Sequence, residues 1–158
     1  MKIYANWGSA VSRLYLRFYV KPGASASGGE IINYFPMFCD DTAGAHQTVA
    51  VYWYATSNSD WRVYLYAAGL STNYFTLADG SKYRIEVDAY NSNTCTLKVW
   101  DSTETTVLNN VSAETVTITG AAFDIQYMQF YDTYNSNTDS IFYIDDLEAS
   151  AVDWVGAY

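Results

Sequence analysis

Apolar and polar side chains alternate with a period of two along nearly the whole chain, in short runs cut by clusters of Gly, Ser, Asn and Asp. Such alternation sends successive side chains to opposite faces of an extended backbone, whereas a helix needs apolar residues three and four apart to bury one stripe. The runs predict strands near residues 2–6, 12–20, 29–38, 47–55, 60–67, 82–90, 94–101, 114–118, 121–132 and 140–149. Turn chemistry agrees with these cuts: Lys-Pro-Gly-Ala-Ser-Ala-Ser-Gly-Gly at 21–29, Thr-Ser-Asn-Ser-Asp at 56–60, Ala-Asp-Gly-Ser at 78–81, Asn-Ser-Asn at 91–93 and Tyr-Asn-Ser-Asn-Thr-Asp at 134–139. Only Tyr66 to Leu77 leaves room for a helical turn. Aromatic residues make up 18% of the chain, a richness that suits half-buried pleated surfaces.

Many short strands with regular turns predict an all-β fold, an antiparallel sandwich of two sheets. The 158 residues read as one domain, 1–158, long enough to bury a core without staples, and no linker-like stretch divides them. Two cysteines are too few for a disulfide framework. Cys95 is in phase with Leu97 and Val99 and so faces the core; Cys39 is either its bonded partner or a second buried thiol.

The formal net charge of −9, from 17 acidic and 8 basic residues, works against phosphate backbones and anionic membranes, which need local positive potential. Nucleic acid and membrane are therefore not expected partners. The same acidity fits a neutral glycan or another protein chain, and it can supply oxygen ligands to Ca²⁺. The opening Met-Lys-Ile-Tyr-Ala-Asn-Trp lacks the apolar stretch of a secretory leader, and no run of about 20 apolar residues is present to cross a membrane as a helix. The expected location is extracellular or on a virion surface, reached by another export route or by particle release.

Leu-Tyr-Leu-Arg-Phe-Tyr-Val at 14–20, Lys-Tyr-Arg-Ile-Glu-Val at 82–87, Thr-Leu-Lys-Val-Trp at 96–100 and Phe-Tyr-Ile-Asp-Asp-Leu at 142–147 follow in an order and spacing that resembles the concanavalin A-like, laminin-G-like jelly rolls of bacterial and phage proteins. The close at Asp153-Trp154-Val155-Gly156 resembles the exit of such domains. The resemblance covers nearly the whole chain and implies a jelly-roll sandwich, a fold that hosts many ligands. It further implies a Ca²⁺ site at Asp145 and Asp146, although the first-strand Glu that usually completes it is not present. Asp40-Asp41 is a second oxygen cluster. Similar domains carry a Phe-Glu-x-Gly entry and a further strand ahead of the Leu-Tyr-Leu-Arg-Phe run. That strand is expected to be missing here, leaving an open sheet edge unless region 103–118 or the C-terminal tail covers it.

Catalysis is not expected. Glu86-Val87-Asp88-Ala89-Tyr90-Asn91 resembles the Glu-x-Asp-x-x-Glu signature of retaining jelly-roll glucanases, but Asn91 stands where the acid/base carboxyl is needed. Glu86 and Asp88, roughly 6.6 Å apart along one strand face, share that face with Arg84. His46, in a loop, is the single histidine and builds neither a metal site nor a triad.

The outward faces offer more. Leu14, Leu16, Phe18 and Val20 oppose Arg13, Tyr15, Arg17 and Tyr19; Trp61, Val63 and Leu65 oppose Arg62, Tyr64 and Tyr66. Arg84, Glu86, Asp88 and Tyr90 oppose Tyr83, Ile85, Val87 and Ala89, which predicts an ordinary solvated face. Tyr15, Arg17, Tyr19, Tyr52, Tyr54, Arg62, Tyr64 and Tyr66 thus read as one Tyr/Arg ligand surface. Aromatic faces stack on pyranose rings while Arg bonds hydroxyls, so the surface suits a glycan; it equally suits contact with other chains, or packing under a loop. The expected function is a non-catalytic recognition module that binds carbohydrate. The alternative is a structural subunit of a virion, as a decoration or fibre protein, or of an extracellular filament, forming a homo-oligomer through sheet edges and the aromatic face.

Overall fold

The computed structural model describes residues 3–23, 31–39, 47–57, 60–67, 69–90, 93–119, 125–130 and 142–151. They form eleven strands: β1 (Ile3–Val11), β2 (Arg13–Pro22), β3 (Ile31–Cys39), β4 (Gln47–Ser57), β5 (Asp60–Tyr66), β6 (Phe75–Ala78), β7 (Tyr83–Tyr90), β8 (Thr94–Trp100), β9 (Val116–Thr119), β10 (Ile125–Phe130) and β11 (Phe142–Ser150). A six-stranded sheet has the order β1-β10-β3-β4-β5-β6 and a five-stranded sheet the order β11-β2-β7-β8-β9. Every named pairing is antiparallel. The protein is an all-β two-sheet sandwich.

The period of two sets the core. Leu14, Leu16, Phe18 and Val20 from β2, and Ile85, Val87 and Ala89 from β7, face Val49, Val51 and Trp53 from β4 and Trp61, Val63 and Leu65 from β5, all almost fully buried. An aromatic knot joins the sheets: Phe142 of β11 sits edge-on to Phe35, Trp53 and Trp61, with ring centroids 4.6, 5.3 and 4.7 Å away. The Trp53 indole N–H donates to the Phe35 carbonyl at 2.8 Å, so its one polar group is satisfied inside the core. Cys95 is a free thiol, and burial pushes its pKa up.

One expectation is corrected here. The stretch from Tyr66 to Leu77 holds no helical turn among the described residues; after a single bridge between Tyr66 and Leu70 it enters β6, where Phe75 and Leu77 face the core against β5. One edge of β2 is paired with β11, whose register runs from Phe142 opposite Pro22 to Ser150 opposite Tyr15.

Candidate functional site

The eight residues of the expected Tyr/Arg surface lie on opposite sides of the sandwich. Tyr15, Arg17 and Tyr19 belong to β2 and the outer face of the five-stranded sheet; Tyr52, Tyr54, Arg62, Tyr64 and Tyr66 belong to β4 and β5 and the outer face of the six-stranded sheet. Alternation fixes which way each side chain points within its strand but not which strand lies beside it.

On the five-stranded sheet, the β2 pairing with β7 sets the arginines of one strand against the acids of the other, with Arg17 opposite Glu86 and Tyr15 opposite Asp88. Arg13 reaches Asp88 through two hydrogen bonds, Nε at 2.8 Å and Nη2 at 2.6 Å, with its guanidinium over the rings of Tyr15 and Tyr90. The Asp88 bonds hold the Arg13 pKa above its ordinary value. Arg17 donates to Glu148 of β11 at 2.7 Å. Arg84 pairs with Glu86 at 3.1 Å and with Glu104, and lies over the Trp100 ring; Lys82 lies over Tyr19. Arg17, Arg84 and Asp88 are buried, so the β7 face is not the ordinary solvated face the sequence suggests. Burial pushes the Glu86 carboxyl up, against the pull of Arg84, Lys98 and Arg17.

Glu86 and Asp88, the pair that resembled a glucanase signature, are therefore both engaged by arginine. Asn91, Asp40, Asp41 and His46 lie outside the described residues. Asp145 and Asp146 are exposed at an irregularity of β11, where the Asp145 Oδ1 accepts the Asp146 N–H at 3.0 Å and Asp146 has a positive φ of 47°. Ca²⁺ takes roughly six to eight oxygens. Among the described residues no group of three or more His, Cys, Asp and Glu side chains is placed to hold a metal ion. A cleft of about 280 Å³ at this end of the sheet is lined by Tyr19, Lys82, Arg84, Asp101, Glu104 and Asp146. Its acids are partly occupied: Glu104 pairs with Arg84, and the Asp101 carboxylate ties its own turn through Thr103 and Thr105, which lowers its pKa.

The outer face of the six-stranded sheet is built differently. Tyr52 pairs across strands with Tyr64, and Tyr54 with Arg62. The Tyr52 ring lies 6.4 Å from Tyr54 and 5.8 Å from Tyr64, and Tyr64 lies 4.9 Å from Tyr74, a residue sequence reasoning missed. The Arg62 guanidinium sits 5.0 Å over the Tyr74 ring. Burial grades across the face: Tyr127 and Tyr52 are buried, with Tyr127 packed on Ala50 and Tyr66, while Tyr54, Arg62, Tyr64, Tyr66 and Tyr74 are half-buried. Tyr74 precedes β6 and is out of step with any alternating run, so its one sequence signal was its residue type.

The fold and these two faces define a jelly-roll-like β-sandwich. It is similar to the CBM2 module of the Lactobacillus casei BL23 phage J-1 evolved Dit, at 9% identity and a TM-score of 0.59, over 94% of this chain and 67% of that one. It is also similar to the marine PL-14 alginate lyase from Aplysia kurodai, at 8% identity and 0.53 over 94% and 81%, and to alginate lyase PA1167 from Pseudomonas aeruginosa, at 12% and 0.52 over 92% and 67%. At these identities the likeness is one of fold. No protein-family model matches the chain, and no curated protein sequence matches it.

Proposed function

We propose that this chain is a non-catalytic carbohydrate-recognition module of the concanavalin A-like, laminin-G-like kind, displayed outside a cell or on a virion, and that it binds a glycan through Tyr54, Arg62, Tyr64, Tyr66 and Tyr74. The observation that carries this is the half-buried Tyr64–Tyr74 pair on an outer sheet face with Arg62 stacked over Tyr74, a cluster whose solvent-facing ring and guanidinium edges suit apolar sugar faces and hydroxyls. The neighbouring fold of a phage CBM2 module accords with this reading. So does the engagement of Glu86 and Asp88 by arginine.

Affinity electrophoresis through gels containing single polysaccharides tests it. Retardation should fall in Tyr64→Ala and persist in Tyr19→Ala, because Tyr19 lies on the opposite face; equal loss in both variants, or no retardation at all, would sink the assignment. Ca²⁺ at Asp145 and Asp146 is checked by melting with the ion and with chelator, a rise abolished by Asp146→Asn being the supporting result. The second reading, a virion or filament subunit, is favoured by β11, an edge strand that exposes Tyr143 and Leu147. A large regular species in light scattering without ligand would select it.

A further inference from the structure

The tyrosine array is not flat. Tyr52 and Tyr54 are within 18° of parallel, but Tyr64 stands at 73° to Tyr52 and Tyr74 at 39° to Tyr64. A flat, ordered polymer surface meets a protein over rings that share one plane, because each ring must reach the same depth. Rings that turn from one to the next follow a chain that itself turns.

The far end of the array is built by the other sheet. Tyr74 sits between β5 and β6, and Asn110 clamps its backbone through side chain and main chain: the Tyr74 N–H donates to Asn110 Oδ1 at 2.9 Å, and the Asn110 backbone N–H donates to the Tyr74 carbonyl at 3.0 Å. Asn110 lies in the connection between β8 and β9. Buried Asn109 shapes that connection, accepting the N–H groups of Val111 and Ala113 at 3.0 Å each and donating to the Thr115 carbonyl at 2.7 Å. Leu108 and Val111, on either side of this pair, are exposed by more than half.

Resting on the glycan reading above, we infer that this face is a turned subsite for a single, uncharged, soluble glycan chain, completed across the two sheets by the Asn110 clamp on Tyr74. The net charge of −9 works against a polyanionic chain. Asn110 is a positioning residue: it acts on the ligand through Tyr74.

The test compares soluble and solid forms of the same polymers with the full chain: hydroxyethyl cellulose against microcrystalline cellulose, glycol chitin against crystalline chitin, and soluble amylose against starch granules. Binding to at least one soluble chain and not to its solid form is expected. Tyr74→Ala should weaken that binding about tenfold. Asn110→Ala, which removes only the side-chain acceptor at an exposed position, should weaken it at an unchanged melting midpoint, and Asn110→Asp, which keeps the acceptor, should restore most of it. Preference for a solid, or full affinity in both Tyr74→Ala and Asn110→Ala, overturns the turned subsite. Failure to bind any of the six preparations overturns the glycan reading beneath it.

Discussion

The two outer faces of the sandwich carry similar residues and use them in opposite ways. On the five-stranded sheet, Arg13, Lys82 and Arg84 each lie over an aromatic ring, and Arg13, Arg17 and Arg84 each hold a carboxylate. Its aromatics are occupied by the protein's own cations. On the six-stranded sheet, Tyr52, Tyr64 and Tyr74 lean on one another with Arg62 over the last of them, and Tyr64 and Tyr74 are half-buried. The difference lies in what holds the rings: charged side chains on the five-stranded sheet, and mainly other rings on the six-stranded sheet.

That contrast can be broken or sharpened by substitution. The largest effect is expected at Asp88→Ala, which strips the buried acceptor of Arg13 and should cost about 2 kcal/mol in urea unfolding while glycan binding is unchanged. Loss of binding in that variant would mean the faces are not independent. Tyr64→Ala should show the converse, about 1 kcal/mol of binding free energy lost in titration calorimetry with stability changed less than by Asp88→Ala. Glu148→Ala should lower stability by no more than about 1 kcal/mol, because its carboxylate is partly solvated although Arg17 is not.

The smallest effect concerns pH. Because burial raises the Glu86 pKa, the folded chain holds that proton more tightly than the unfolded one. The resulting stability is complete below the ordinary value of 4.5 and is lost as pH rises through the folded value. The Glu86→Gln variant should therefore gain on the wild type in unfolding free energy between pH 4.5 and neutrality. A pH-independent difference would show that burial does not govern this carboxyl.

Much of the fold was legible because a period of two needs no knowledge of neighbours. The inward series of β2, β5 and β7 are the residues the alternation selects. Strand partners were not legible, since Arg13 meets Asp88 across 75 positions and Arg17 meets Glu148 across 131. That gap merged two tyrosine sets into one surface and made the β7 face look solvated. β6 was missed because a four-residue strand offers only Phe75 and Leu77 as signal. Nothing local in the sequence shows that Asn110 holds a residue of the opposite sheet.

The position of β10 between β1 and β3 has a consequence for how the chain reaches this state. Residues 3–11 and 31–39 cannot lie side by side as they finally do until residues 125–130 arrive to separate them, and β2 awaits residues 142–150. Pairings over such sequence distances close slowly, and half-made sheets offer apolar, unpaired edges to other chains meanwhile. Recovery after unfolding should therefore be limited by collisions between incomplete molecules, and it should improve with dilution.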